Sequence, residues 1–214
     1  MILDKEKKLA FIHIPHNGGT NIKMRLTPSD RFEVYMPEVM PDKHFSKKID
    51  FPKDIDSPIQ LVDHLPARYT PEGYISVAFV KNPYHREVSQ YNLIKHFHLG
   101  VSGARKFDSF TDFLKFKYFS KPNTPFTVTT TGSMRSKDNY YFAHDADVVF
   151  RVEDIQNEWP QFSQMYDLPI DLWDTTYNVQ TPEDHSYKQY YTELDLRLVD
   201  EGVRRDCKTY NYVY

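Results

Sequence analysis

Lys8-Leu9-Ala10-Phe11-Ile12-His13-Ile14-Pro15-His16-Asn17-Gly18-Gly19-Thr20 is the stretch on which the fold turns. Its first seven residues form a short run dominated by apolar, β-branched and aromatic side chains, which reads as a buried strand. Pro15 stops the run, and Asn17-Gly18-Gly19-Thr20 supplies a tight loop that opens a helix predicted from Thr20 to about Leu26. A strand feeding a glycine loop that opens a helix is the layout of phosphate-binding α/β folds. Glycines let backbone N–H groups approach an anion, and the helix N-terminus adds partial positive charge. The Gly-Lys-Ser/Thr ending of a Walker A loop is absent, so the segment is not that motif.

Further strands are predicted at Ile59-Gln60-Leu61-Val62, at Ile75 to Val80 and at Asp147 to Val152. The second of these is the clearest and runs into Lys81-Asn82-Pro83. A helix follows it with Tyr84, Val88 and Tyr91 on one face, and Pro83 suits the first turn, where a missing N–H costs nothing. Helices are also predicted over Phe107 to Tyr118, Glu153 to Tyr166 and Tyr187 to Thr209, the last with Leu196, Val199, Val203 and Cys207 at spacings of three and four. Residues 28 to 58 carry Pro28, Pro37, Pro41, Pro52 and Pro58 among many charges and read as a long irregular excursion, as do residues 121 to 138. Strands alternating with helices predict an α/β fold with three layers, a mainly parallel sheet and flanking helices, in one domain over residues 1–214.

The bulk properties fit that reading. The 214 residues suffice for one sizeable core, and 40% hydrophobic with 27% charged residues is the mix of a soluble folded chain. An aromatic content of 15% argues against disorder and points to packing. The formal net charge of −3 gives no basic field for a nucleic acid or other polyanion. Cys207 is the single cysteine, so no intramolecular disulfide forms, and its place in the last helix marks it as a packing residue. The N-terminal residues lack a signal-peptide core and no apolar run reaches 18 residues, so a cytoplasmic location without a membrane partner is the expectation.

Two segments carry a family resemblance. Phe11 to Thr20 resembles the 5′-phosphosulfate loop of the sulfotransferases, above all the branch acting on carbohydrates. That loop reads phenylalanine, any, histidine, any, proline, lysine, threonine, glycine, glycine, threonine; the departures here are His16 for lysine and Asn17 for threonine. Val77-Ala78-Phe79-Val80-Lys81-Asn82-Pro83-Tyr84-His85-Arg86-Glu87-Val88-Ser89-Gln90-Tyr91 is similar to the family's 3′-phosphate motif, an arginine ending a strand and a serine eight residues on. Lys81 takes the arginine position and Ser89 that of the serine; lysine offers a point charge in place of a bidentate fork. Phe150-Arg151-Val152-Glu153-Asp154-Ile155 is a looser match, with Glu153 and Asp154 expected to cap the following helix. Asn178 and the aromatic tail from Tyr187 to Tyr212 resemble the family's C-terminal helix and ending.

The resemblance implies a P-loop-containing nucleoside triphosphate hydrolase-like fold and 3′-phosphoadenosine 5′-phosphosulfate as co-substrate. His16, Asn17, Gly18, Gly19, Thr20, Lys81 and Ser89 would hold it, without a metal. Gln60-Leu61-Val62-Asp63-His64-Leu65-Pro66 resembles the segment bearing the catalytic histidine in the 2-O-sulfotransferase branch, with Asp63 where that branch has glycine. His64 is therefore the expected general base, its ordinary pKa near 6.5 suiting proton abstraction at neutral pH. His44 is the reserve. His16, protonated, is expected to replace the family's lysine beside the sulfonate, and His13 to support the loop. The pairs His13/His16 and His96/His98 lack a third metal ligand, and Arg135 and Lys137 read as a solvated loop. The acceptor implied is a hydroxyl, preferably on a carbohydrate. The competing readings are a nucleotide-binding homologue with weakened catalysis and, more remotely, a P-loop kinase.

Overall fold

The computed structural model of the chain describes residues 1–26, 29–35, 65–96, 107–119, 138–170 and 185–214. The strand expected at 59–62 lies outside the described residues, as do His44, His64, Arg135, Lys137 and Asn178. In chain order the elements are β1 (Ile2–Asp4), β2 (Leu9–Ile12), α1 (Gly19–Leu26), β3 (Phe32–Val34), β4 (Ile75–Val80), α2 (Pro83–His96), α3 (Phe110–Phe119), α4 (Asn139–Ala143), β5 (Val148–Arg151), α5 (Ile155–Tyr166) and α6 (Glu193–Tyr210), with short 3-10 turns at Ala67–Tyr69, Val152–Asp154 and His185–Tyr190. They fall into two compact units. The first comprises Met1–Glu38, Val62–Asn82 and Asn139–Val179; the second comprises Val39–Leu61, Pro83–Asp138 and Gln180–Tyr214. No helix among the described residues is long and apolar enough to cross a membrane.

The first unit is built on a sheet of order β3-β1-β2-β4-β5. β4 runs parallel to both β2 and β5, whereas β1 is antiparallel to β2 and to β3. The sheet is therefore mixed, which corrects the expectation of a mainly parallel one. The antiparallel edge was hidden by charge. Lys5-Glu6-Lys7-Lys8 is a turn between β1 and β2, closed by Lys8 with a φ of 56°. The fully buried Asp4 carboxylate accepts the N–H groups of Glu6 and Lys7 at 3.0 and 3.1 Å. It also receives Arg31, whose Nε lies 2.9 Å from each carboxylate oxygen. The Arg31 guanidinium goes on to the carbonyls of Tyr166 (2.8 Å) and Asp167 (2.9 Å), where α5 leaves acceptors unsatisfied. The Asp4 hydrogen bond holds the Arg31 pKa above its usual value.

The registers put Ile2, Leu9, Phe11, Val77, Phe79 and Phe150 on one face of the sheet. They form a core with Ile22 and Leu26 of α1 and Ile155 and Trp159 of α5. Ala10, Ile12, Ala78 and Val80, of opposite parity, are buried as well, so β2 and β4 are covered on both faces, as central parallel strands require. At the entry to β4, Ser76 donates its N–H (2.7 Å) and its hydroxyl (2.6 Å) to Asp147, and the Asp147 N–H returns to the hydroxyl (2.9 Å). These bonds hold the exposed Asp147 carboxyl below its ordinary 3.8. A depressed carboxylate contributes stability above the unfolded pKa that is lost as pH falls through the folded one. Asp147→Asn should therefore lower the melting temperature at neutral pH, with the gap to wild type closing below about pH 3.8; a gap unchanged down to pH 2 would remove the linkage.

In the second unit the predicted stripe of Tyr84, Val88 and Tyr91 packs with Phe110, Phe113, Leu114, Tyr187, Val199 and Val203. Rings meet edge to face, as in Tyr91–Phe110 (5.4 Å) and Phe110–Tyr191 (4.9 Å), the arrangement favoured by their quadrupoles. α6 starts later than predicted, because Thr192 and Asp195 form a capping box there. Cys207 packs against this core as expected, and burial pushes its thiol up to about 11, away from nucleophilic reactivity. Gly202 lies in the middle of α6, where alanine would ordinarily be better by about 1 kcal/mol. A Cβ there would sit 2.1 Å from the Tyr118 ring, whose hydroxyl donates to Glu87 at 2.9 Å. Gly202→Ala should consequently destabilise by about 1–3 kcal/mol against helix propensity, the usual range for overpacking. A rise in urea midpoint for this variant would show that Tyr118 moves aside freely.

Candidate functional site

β2 delivers the chain into the loop at Pro15–Gly18, and α1 begins at Gly19. φ is positive at His16 (67°) and at Gly18 (80°) but not at Asn17 between them. Alternation of hand is the backbone pattern of anion-binding nests; here the Asn17 N–H closes the turn on the Ile14 carbonyl at 3.3 Å. Gly18 takes its φ without strain, and histidine is among the side chains that tolerate the left-handed region best. His16 and Gly18 are partly exposed, whereas Asn17 and Gly19 are buried. Gly19 is required by its neighbour: a Cβ there would lie 1.9 Å from Cδ2 of His13. The buried His13 ring thus lies against the first residue of α1 and supports the loop, as the sequence suggested.

The Asn17 side chain is engaged within the protein. Both protons of its amide go inward at 2.8 Å, one to the carbonyl of Phe79 and one to Oδ1 of Asn139. Asn139 in turn donates Nδ2 to the carbonyl of Lys81 at 2.8 Å. Two buried amides therefore tie the loop to the carboxyl end of β4.

Lys81 ends β4 in a buried position. Burial pulls its amine down to about 8, with Glu153 opposing the shift. Glu153 does not cap its own helix. Its Oε1 accepts the Asn82 N–H at 2.7 Å, and Asp154, at the N-cap of α5, makes no capping bond and pairs with Arg151 at 3.2 Å. Both carboxylates thus depart from the predicted capping role, since Asn82 and Arg151 offer closer partners. The folded pKa of Lys81 lies below the unfolded value of 10.5. Below about pH 8 the charged amine therefore weakens the fold, and the penalty fades as pH rises from about 8 to 10.5. Lys81→Met is expected to stabilise the ligand-free protein by about 1–3 kcal/mol at pH 7, shrinking toward pH 10. Chemical denaturation at the two pH values measures it, and a destabilised variant at pH 7 would show that Lys81 is structurally supported.

The structure thus brings His16, Asn17, Gly18, Gly19 and Lys81 into the first unit, linked through Asn139. Thr20 is the second residue of α1, and Ser89 is a partly exposed residue of α2 in the second unit. Asn139 and the role of Glu153 were not foreseen. Among the described residues no group of three or more His, Cys, Asp or Glu side chains is placed to hold a metal ion. In comparison with known proteins, the family model for the sulfotransferase family matches residues 1–201, which include every site residue named above. No curated protein and no solved structure matches the chain.

Proposed function

We propose, from the premise that this chain belongs to the sulfotransferase family, that it transfers the sulfonate of 3′-phosphoadenosine 5′-phosphosulfate to a hydroxyl, with a carbohydrate as acceptor. Residues 1–214 act in this reading as one sulfotransferase-like domain, since the family match runs through segments of both units. The observation that carries the proposal is the loop of alternating hand at His16–Gly18, opening α1 and tied to the strand end that bears Lys81. Such a loop suits an anionic substrate, because glycine backbone leading into a helix N-terminus favours a phosphate-type group.

In the proposed reaction the acceptor oxygen attacks sulfur, its proton passes to His64, and the bond from sulfur to the phosphate oxygen breaks. The electron pair leaves with adenosine 3′,5′-bisphosphate. His16 as imidazolium offsets charge growing on the leaving oxygen. Lys81 and Ser89 take the 3′-phosphate by their match to the family motif. Gly18, Gly19 and Thr20 offer backbone donors around the 5′-side, and Asn17 sets the shape of the loop from inside.

A thermal-shift titration with adenosine 3′,5′-bisphosphate beside ATP with magnesium tests this. At about 100 times the dissociation constant a specific ligand stabilises by roughly 2.7 kcal/mol, several degrees in a chain of this size. A shift selective for the bisphosphate and weakened by Ser89→Ala is the expected result. A larger shift with ATP, or none with the bisphosphate, would end the proposal.

A further inference from the structure

We infer that Asn139 is a positioning residue that couples the two halves of the nucleotide site, the loop at His16–Gly19 and the strand end at Lys81, so that one ligand bearing both phosphates is bound more tightly than its halves. The inference rests on the nucleotide site proposed above and adds to it a residue outside both family motifs.

The argument starts from the sheet. β2 ends at Ile12, which pairs with Ala78, so the carbonyls of Phe79 and Lys81 lie past the last β2 partner of β4. Side chains meet both of them. Asn17 reaches Phe79, and Asn139 reaches Lys81, each at 2.8 Å. The link between the two is the 2.8 Å bond from Asn17 Nδ2 to Asn139 Oδ1. Asn139 is fully buried, and Asn17 is 1% exposed, so water cannot substitute for a lost partner. Each bond in this chain has one donor and one acceptor, and the Asn139 amide supplies an acceptor and a donor from two separate atoms, Oδ1 and Nδ2. Asn17 uses two donors; a residue with a single hydroxyl at this position could serve only one of its two acceptors. Asn139 is itself anchored by its helix, since Phe142 and Ala143 of α4 are buried and α4 packs on β4.

The consequence is geometric. Asn139 holds the peptide of the residue whose amine stands at the strand end, and through Asn17 it holds the loop. A ligand with a 5′- and a 3′-phosphate must meet both at a fixed separation, whereas a monophosphate needs only one. Removing Asn139 leaves the Lys81 carbonyl and one Asn17 proton without these partners and leaves the Asn17 bond to Phe79 to hold the loop on β4, so the separation of the two halves is fixed less rigidly.

The test is calorimetric titration of the full chain and of Asn139→Ala with adenosine 3′,5′-bisphosphate, AMP and 3′-AMP. In the variant the preference for the bisphosphate over AMP should fall about tenfold, the equivalent of roughly 1.4 kcal/mol. AMP and 3′-AMP should each stay within about threefold of wild type, because each half-site persists. A purely structural Asn139 would weaken all three ligands by one common factor or lower only the melting temperature, and either result overturns the inference. Asn139→Ser, which keeps a hydroxyl in place of the amide, gives the same comparison should Asn139→Ala fail to fold. The two levels separate cleanly. A wild-type chain that prefers AMP, or binds neither, removes the nucleotide site itself and this inference with it. A wild-type preference that survives intact in the variants removes only the role of Asn139.

Discussion

Lys117→Met is expected to destabilise the protein by about 3–5 kcal/mol, because it strands a carboxylate inside the helical unit. Lys117 Nζ lies 2.5 Å from both oxygens of Glu87 and 2.6 Å from Oε1 of Gln90. Tyr118 adds a hydrogen bond to Glu87 at 2.9 Å. Glu87, Gln90, Arg86 and Asp206 are all buried, with Arg86 and Asp206 also acting electrostatically on Lys117. Two cations and two anions therefore balance in a region without solvent. Burial holds the Lys117 amine below its ordinary range even with Glu87 beside it, which shows how much desolvation the pair must offset. Methionine fills the volume of the lysine stem but leaves the site with an excess negative charge. The companion variant Glu87→Gln/Lys117→Met removes both charges, and the Tyr118 hydroxyl keeps an acceptor. It should recover most of the loss, since replacing a buried pair is often neutral where breaking one is not. Urea unfolding of the wild type and of the single and double variants, at unchanged m-value, gives the cycle. A single-variant loss under about 1 kcal/mol, or a double variant no better than Lys117→Met, would show that the cluster is solvated in practice.

The contrast between local patterns and long-range contacts explains what the sequence disclosed. β2, the glycine loop, β4 and the stripe on α2 were legible because each is a local pattern: an apolar run, a punctuating Pro or Gly, or a spacing of three and four. β1 and β3 are three residues long, too short to display a period, and the charged turn between β1 and β2 resembles a solvated terminus. What stabilises them is the Asp4–Arg31 pair, joined across 27 positions, and nothing local signals it. The mixed sheet follows from the same omission. The site shows the same division. His16, Gly18, Gly19 and Lys81 belong to contiguous motifs, whereas Asn139 acts from 122 positions beyond Asn17. At Glu153 the local signal misleads: acidic residues at a helix start suggest a cap, and only the folded geometry reveals that its acceptor serves Asn82. Long-range polar satisfaction is the part of a fold that leaves the faintest trace in a sequence, because one buried asparagine looks like any other.

The proposed chemistry has its sharpest consequence at His16. His16→Ala is expected to lower kcat by about 10²–10³, the usual effect of deleting one donor that meets charge developing in a transition state. Because the donor must be imidazolium, kcat of the wild type should fall as pH rises through the pKa of His16 in the ternary complex. The ligand's own negative charge favours protonation there. kcat/KM reports the free enzyme instead, where both His16 and Lys81 must hold their protons, and the Lys81 amine loses its own near pH 8 in the buried strand end. The two limbs can be separated by His16→Lys. Lysine carries a permanent charge through this range, so the kcat limb should vanish while the kcat/KM limb becomes that of Lys81 alone, near 8. The substitution has a structural cost, because position 16 has a φ of 67° and lysine is less at ease there than histidine, by up to about 1–2 kcal/mol. In the proposed chemistry, histidine at this position reconciles two demands, the left-handed turn observed there and a cation beside the leaving oxygen. A kcat that stays flat from pH 6 to 9, or a His16→Ala enzyme working at the wild-type rate, would leave His16 with the first demand alone and return the positive charge to some other residue.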